Sequence, residues 1–221
     1  MFRQLLLFAL LLIPIGLQAQ RAQLLDSILD LRTMARSDNY SQEEQLVFAK
    51  RASELSYKLG VDSTILKSDR ILSGNYLFLD KYEDYKSINL KNLDRARQLN
   101  DSLTIAYALH QLAWYYDYNS KYDSAYSYYY NAQKIYSAIG EKHEQAGALL
   151  NMAIIQESES DFVGGEKNVI EALRLIEPLP KTDNIVDTKW SLNNQLAIIA
   201  TRLKQYDVAI EYYHKNLELA K

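Results

Sequence analysis

The apolar positions recur in blocks of two helical stripes separated by a short polar break. Between Ala106 and Gly140 the pattern is plainest. Leu109, Leu112, Ala113 and Tyr116 step by three, one and three, which traces one face of an α-helix. Asn119-Ser120-Lys121 interrupts that face, and Ala125, Tyr129, Ala132 and Tyr136 then step by four, three and four along a second helix. Two amphipathic helices with a short connection predict an αα-hairpin. Neither helix can bury its stripe alone, so hairpins must stack.

The block repeats. Gly60, Asn100 and Gly140 each close a helical segment, and they stand 40 residues apart. Gly and Asn tolerate the left-handed conformation just past a helix end. Lys81-Tyr82-Glu83-Asp84-Tyr85 and Lys121-Tyr122-Asp123-Ser124-Ala125 share the same 40-residue offset, and Lys204-Gln205-Tyr206-Asp207-Val208-Ala209 repeats the theme. A period of this size signals stacked supersecondary units. Five units are expected, over about residues 26–60, 66–100, 106–140, 146–180 and 190–221. Leu149, Met152, Ala153, Gly165, Val169 and Ala172 mark the fourth, and Leu196, Ala197, Ala209 and Tyr213 the fifth. The fifth is displaced by four extra residues, which fit the linker Pro178 to Asn184, where two prolines stop the preceding helix. Earlier units are weaker. Leu72, Tyr76 and Tyr85 mark the second, and Leu29, Ala49 and Ala52 the first. Tyr116, Tyr129, Tyr136 and Tyr213 are expected in the core by register.

Ahead of the repeats stands a different pattern. Arg3 precedes an apolar run from Leu5 to Leu17, and Leu17-Gln18-Ala19 offers a small residue for cleavage. This order predicts a signal peptide over residues 1–19, with a repeat domain over 20–221. The run spans about 20 Å as a helix, short of a bilayer core of about 30 Å. The mature chain is therefore expected outside the cytoplasm, periplasmic or secreted.

Composition narrows the reading. Only 7 Gly and 3 Pro occur in 221 residues, too few turn formers for an all-β sandwich or barrel. The absence of Cys removes disulfides, thiolate metal sites and cysteine nucleophiles. A formal net charge of -3 gives no nucleic-acid footprint. The 18 Tyr against 5 Phe call for an explanation.

These residues resemble the tetratricopeptide repeats. That family's signature pairs a large residue, Leu and a small residue, and an aromatic with a later Ala, aromatic and Ala. Leu109, Leu112, Ala113, Tyr116, Ala125, Tyr129 and Ala132 match it fully. In the fourth unit Gln156 replaces the aromatic and Gly165 the Ala; in the fifth Asn193, Ala200 and Asn216 depart from it. The resemblance implies an all-α, right-handed superhelical solenoid of about five antiparallel helix-turn-helix repeats. The family's repeat is about 34 residues, so the longer period here implies helices extended by roughly a turn. Bacterial sensory and regulatory relatives often place such an exported array before a membrane helix and a cytoplasmic kinase or DNA-binding domain.

A search for chemistry finds little. There is no GxSxG, GxGxxG, Walker or CxxC motif. Gly164-Gly165 reads as a tight helix crossing or distorted turn. Glu211 and His214 form a single Glu-x-x-His, where di-iron bundles need two plus further Glu residues. Glu157 to Asp161 reads as a solvated turn. No catalytic residue, cofactor or metal is expected, a metal-dependent bundle enzyme being the least favoured alternative.

The tyrosine excess points instead to a surface. In stacked hairpins the first helices line the concave face, the usual binding face. The third unit would contribute Tyr107, His110, Trp114, Asp117 and Tyr118 there. Its neighbours would add Arg70, Leu77 and Phe78 on one side and Leu150, Ile154 and Glu157 on the other, and the last unit Asn194, Ile198 and Arg202. Tyr and Trp give large contact area with little rotamer entropy to lose. The expected partner is a protein or peptide on this face. Some relatives clamp a peptide's terminal carboxylate with Lys and Asn, but Asp30 and Met34 stand at the matching places. The stripe from Tyr206 to Lys221 leaves Leu217 and Leu219 with little cover, so a downstream domain, a partner or a second copy is expected over it. Membrane attachment would come only through a segment beyond this one.

Overall fold

The computed structural model describes residues 2–219, with side chains described from residue 18 onward. The expected leader falls mostly on residues whose side chains lie outside that set, and Met1 lies outside it altogether. Ten α-helices follow one another: α1 (Phe2–Met34), α2 (Gln42–Leu59), α3 (Asp62–Phe78), α4 (Tyr82–Leu99), α5 (Ser102–Tyr118), α6 (Tyr122–Ile139), α7 (Lys142–Ser158), α8 (Phe162–Ile176), α9 (Asp183–Arg202) and α10 (Tyr206–Leu219). No strand occurs among the described residues. None of their helices is long and apolar enough to cross a membrane.

The turns explain the regularity. Gly60 and Gly140 end α2 and α6 in the left-handed region, with φ of 72° and 80°, and Asn100 does so after α4 at 54°. Asp80, Ser120, Ser160 and Lys204 adopt the same conformation, at φ of 56°, 55°, 66° and 59°. A left-handed residue therefore recurs every 20 positions from Gly60 to Ser160. The next in that series would be Pro180, whose ring forbids positive φ. There the connection lengthens, and α9 starts only at Asp183. At the other end Ser41 caps α2 in a complete capping box, its hydroxyl accepting from the Glu44 N–H and its own N–H donating to the Glu44 carboxylate.

The chain forms two compact units, residues 1–95 and 96–221. In the first, Ala35, Leu46, Ala49, Leu72 and Ile88 make the apolar core. Leu29, expected there, is 46% exposed, while the adjacent Ile28 is fully buried. The stripe on α1 is thus turned by one residue from the expected register. Polar seams run beside this core. The Ser53 hydroxyl donates to Asp69 at 2.5 Å, Tyr57 donates to the other oxygen of the same carboxylate at 2.9 Å, and Asn89 donates to Ser73 Oγ at 2.8 Å.

In the second unit, Ala113, Ala125, Tyr129, Met152 and Ile155 close the space between α5, α6 and α7. Ala146, Leu149, Ala153, Val169, Ala172, Ile176, Leu192 and Leu196 do the same for α7, α8 and α9. Gly165 shows why small residues sit at these crossings: a Cβ there would lie 3.2 Å from the Ala153 carbonyl oxygen and from Ile199 Cδ1. At Gly164 a Cβ would collide with Asp161, whose carboxylate accepts from the Gly164 N–H at the start of α8. Tyr129 and Tyr136 are buried, and Tyr116 is half-buried. Tyr213 is the exception, 45% exposed. Its repeat counterpart Tyr129 is covered by Met152 and Ile155 of the following helix. Asn216 turns inward instead and donates to the Trp190 carbonyl at 3.0 Å.

Candidate functional site

The expected site residues sit on first helices of the hairpins, and the C-terminal unit carries most of them. On α5 the aromatic pair is made by helix geometry. Trp114 and Tyr118 are four residues apart and stack, with centroids 5.4 Å apart and ring planes 15° from parallel. Tyr118 is 55% exposed, and Trp114 and Tyr107 are half-buried. Asp117 lies in the same turn, half-buried. Burial alone raises its carboxyl above the usual carboxylate range.

His110 is not an open-face residue. It is drawn into the seam between α6 and α7, edge-on to Tyr129 at 5.0 Å and to Tyr136 at 6.4 Å. The Asn151 side-chain amide donates to its Nε2 at 3.1 Å, while its buried Nδ1 has no partner. The ring is kept neutral because desolvation lowers its pKa to about 4. Gly147 on α7 lies beside the ring, where a Cβ would come to 4.0 Å of Cε1, an ordinary van der Waals contact.

On α7, Leu150 packs against the core, whereas Ile154 remains exposed. Glu157 of α7 and Arg202 of α9 meet. The Arg202 Nε donates to Glu157 Oε1 at 2.7 Å, with the acid side chain only 13% exposed beneath it. Asn194 and Ile198 are half-buried on α9. In the N-terminal unit, α3 carries Arg70 and Phe78 exposed and Leu77 half-buried. Glu211, half of the Glu-x-x-His pair, accepts an ion pair from Lys215 at 2.9 Å.

Two features escaped the pattern of the sequence. One is the buried network of Asp69, fully buried on α3. Burial pushes its carboxyl up, against the opposing pull of the Ser53 and Tyr57 hydroxyls and of Arg95 and Lys91. Arg95 lies over the Tyr57 ring at 5.3 Å and pairs with Asp62, extending that network to α4. A polar residue at an apolar register was the available signal: Asp69 falls where Leu109 falls one repeat later. The other is a cleft of about 280 Å³ at the turn edge between α6 and α7, walled by Tyr122, Tyr126, Ile155 and Gln156.

Comparison with solved structures places this architecture. The apo form of RapI superposes with a TM-score of 0.62 at 13% identity, covering 88% of this chain and 83% of that one. BtubC (BKLC) from P. vanneervenii gives 0.66 at 14%, covering 92% and 91%. A Podosopora anserina protein with nearly identical TPR-like repeats gives 0.66 at 11%, covering 90% and 96%. The fold is TPR-like: helix pairs packed in sequence order. No family model and no curated protein matches the sequence. At these identities the likeness concerns the fold alone. A Rap protein complexed with Competence and Sporulation Factor is also similar, at a TM-score of 0.59 and 13% identity, covering 91% of this chain and 64% of that one.

Proposed function

We propose that this chain is a non-catalytic binding module that takes a peptide or protein segment along the first-helix face of α5, α7 and α9. The observation that carries the reading is the stacked, partly exposed Trp114–Tyr118 pair on α5, with exposed Ile154 on α7 and the Glu157–Arg202 pair between α7 and α9 on the other first helices of the same unit. Amphipathic aromatics held in one rotamer by stacking lose little entropy on binding. The TPR-like fold supports the reading, since a Rap protein of this fold is solved with a bound factor. The leader pattern at Arg3 to Ala19 supports a site of action outside the cytoplasm. Together with the bacterial sensory relatives, it supports a sensory or scaffolding role in a signalling system.

Trp114→Ala tests the site. The variant should keep its far-UV circular dichroism and lose affinity for peptides captured by the wild-type protein. Equal affinity with an intact fold removes this face from the function. Mass spectrometry of the exported protein should find an N-terminus near Gln20; an intact Met1 defeats the leader.

A second reading rests on α10. Tyr206, Ile210, Tyr213 and Leu217 are exposed along one stripe of that helix, at 59%, 53%, 45% and 63%. Such a stripe suits self-association in a scaffold. A dimer that persists on dilution and is lost in Ile210→Glu supports it; a monomer at all concentrations excludes it.

A further inference from the structure

The repeat places equivalent residues at the C-terminal ends of α5, α7 and α9. Tyr118, Ser158 and Arg202 are the last helical residues, each two positions before a left-handed residue at Ser120, Ser160 or Lys204. Asp117 and Glu157 are the penultimate residues of α5 and α7. Between α7 and α9 the two registers meet as an ion pair, Arg202 on Glu157 at 2.7 Å. In the register of the repeat, Ser158 corresponds to Arg202 and Asp117 to Glu157 one hairpin earlier. Ser158 carries no charge, and its hydroxyl donates to its own helix at the Ile154 carbonyl, 3.0 Å away. No cation or hydrogen-bond donor pairs with the Asp117 carboxylate among the described residues.

Asp117 is therefore a half-buried acid whose expected counter-charge is missing. On α5 it stands three residues after Trp114 and directly before Tyr118, whose stacked rings are groups against which the stem of a Lys or Arg side chain lies well. We propose that Asp117 and the Trp114–Tyr118 stack form a recognition point for a cationic side chain, a guanidinium or ammonium, of the bound peptide. This deepens the binding role assigned to the same face and rests on it. The peptide's cation takes the position that Arg202 occupies over Glu157 one hairpin later. Desolvation costs are thereby met by the ligand rather than by the protein, and affinity depends on the charge.

Selection from a random dodecapeptide display library tests this on the whole chain, with Asp117→Asn, Ser158→Arg and Trp114→Ala run beside the wild type. The wild type should enrich peptides with Lys or Arg at one fixed position next to an apolar residue. Asp117→Asn should bind the selected peptides about tenfold more weakly and lose the basic preference while still taking apolar ones. Ser158→Arg should show the same loss, because its own side chain would fill the place, with a thermal midpoint no lower than wild type. Enrichment without a basic position overturns the cation assignment while leaving the binding face intact. Identical basic preferences in wild type and Asp117→Asn remove Asp117 from it. Failure to enrich anything beyond the Trp114→Ala background overturns the face and this inference together.

Discussion

The two units solve one packing problem with opposite chemistry. At Ala125 and Tyr129 the C-terminal unit sets a small residue, then a large one, one turn apart on α6. Forty residues earlier, on α4, the order is large then small and polar: Tyr85, 1% exposed, then Asn89, fully buried. The Asn89 side chain donates to Ser73 and to the Tyr85 carbonyl, so its burial leaves the amide protons bonded. Leu109 and Ala113 on α5 likewise become Asp69 and Ser73 on α3. The seam chemistry changes from dispersion to hydrogen bonds. The lesson is that a repeat's spacing reports backbone geometry, and its signature residues report only one way to fill the gaps.

The comparison can be broken in several ways. Tyr129→Ala, read by chemical denaturation, should cost about 3–5 kcal/mol, because the ring fills the α5–α7 seam. Asn89→Ala at the equivalent place should cost about 1–3 kcal/mol, the scale of a lost buried hydrogen bond. Equal losses would mean that the two seams are not distinct.

Acid should affect the stability of the two units in opposite directions. His110 titrates near 4 in the folded protein, against an ordinary 6.5. Its neutral state supports folding at neutral pH, and that support is lost as pH falls from about 6.5 to about 4, roughly 3 kcal/mol in all. Asp69 moves the other way. Its folded value is raised, so its contribution is fully present below the ordinary carboxylate value and is lost as pH rises through the folded one. Both tryptophans, Trp114 and Trp190, lie in the C-terminal unit. The tryptophan-detected melting midpoint should therefore drop between neutral pH and about pH 4.5, and drop less in His110→Gln. An unchanged slope in that variant would acquit the histidine.

Ala125→Leu sharpens the contrast on a smaller scale. Ala125 is fully buried where α6 crosses, and overpacking should cost about 1–3 kcal/mol in the denaturation midpoint. The smallest effect concerns the turns. Ser120→Gly removes the Cβ from a residue at φ 55° and should raise stability by about 0.5–1 kcal/mol. A lower midpoint would show that the serine side chain holds the turn.

Much of the fold is legible in local pattern. Leu112, Ala113, Ala125 and Ala132 lie where periodicity puts them, and Gly60, Asn100 and Gly140 take the left-handed turns their residue types suit. The intervening turns at Ser120, Ser160 and Lys204 were hidden because those residue types do not advertise positive φ, whereas Asp80 is of a type that tolerates it. They adopt it because the helices on either side must reverse there. The face was less legible. His110 shares the periodicity of Trp114, yet its surroundings on α6 and α7 draw it inward, and nothing in α5 itself encodes that.

The sequence alone determined the helices, their hairpin pairing and the small residues at their crossings, since each depends on neighbours within a few turns. Tertiary structure alone decided which acids find partners. Glu157 meets Arg202, Asp69 meets Ser53 and Tyr57, and Asp117 has no ion-pair partner among the described residues. Tyr213, expected in the core, is likewise left 45% exposed, while Asn216 is buried at the register of Ala132. Such contacts join residues far apart in the chain, and only the stacking of hairpins brings them within reach.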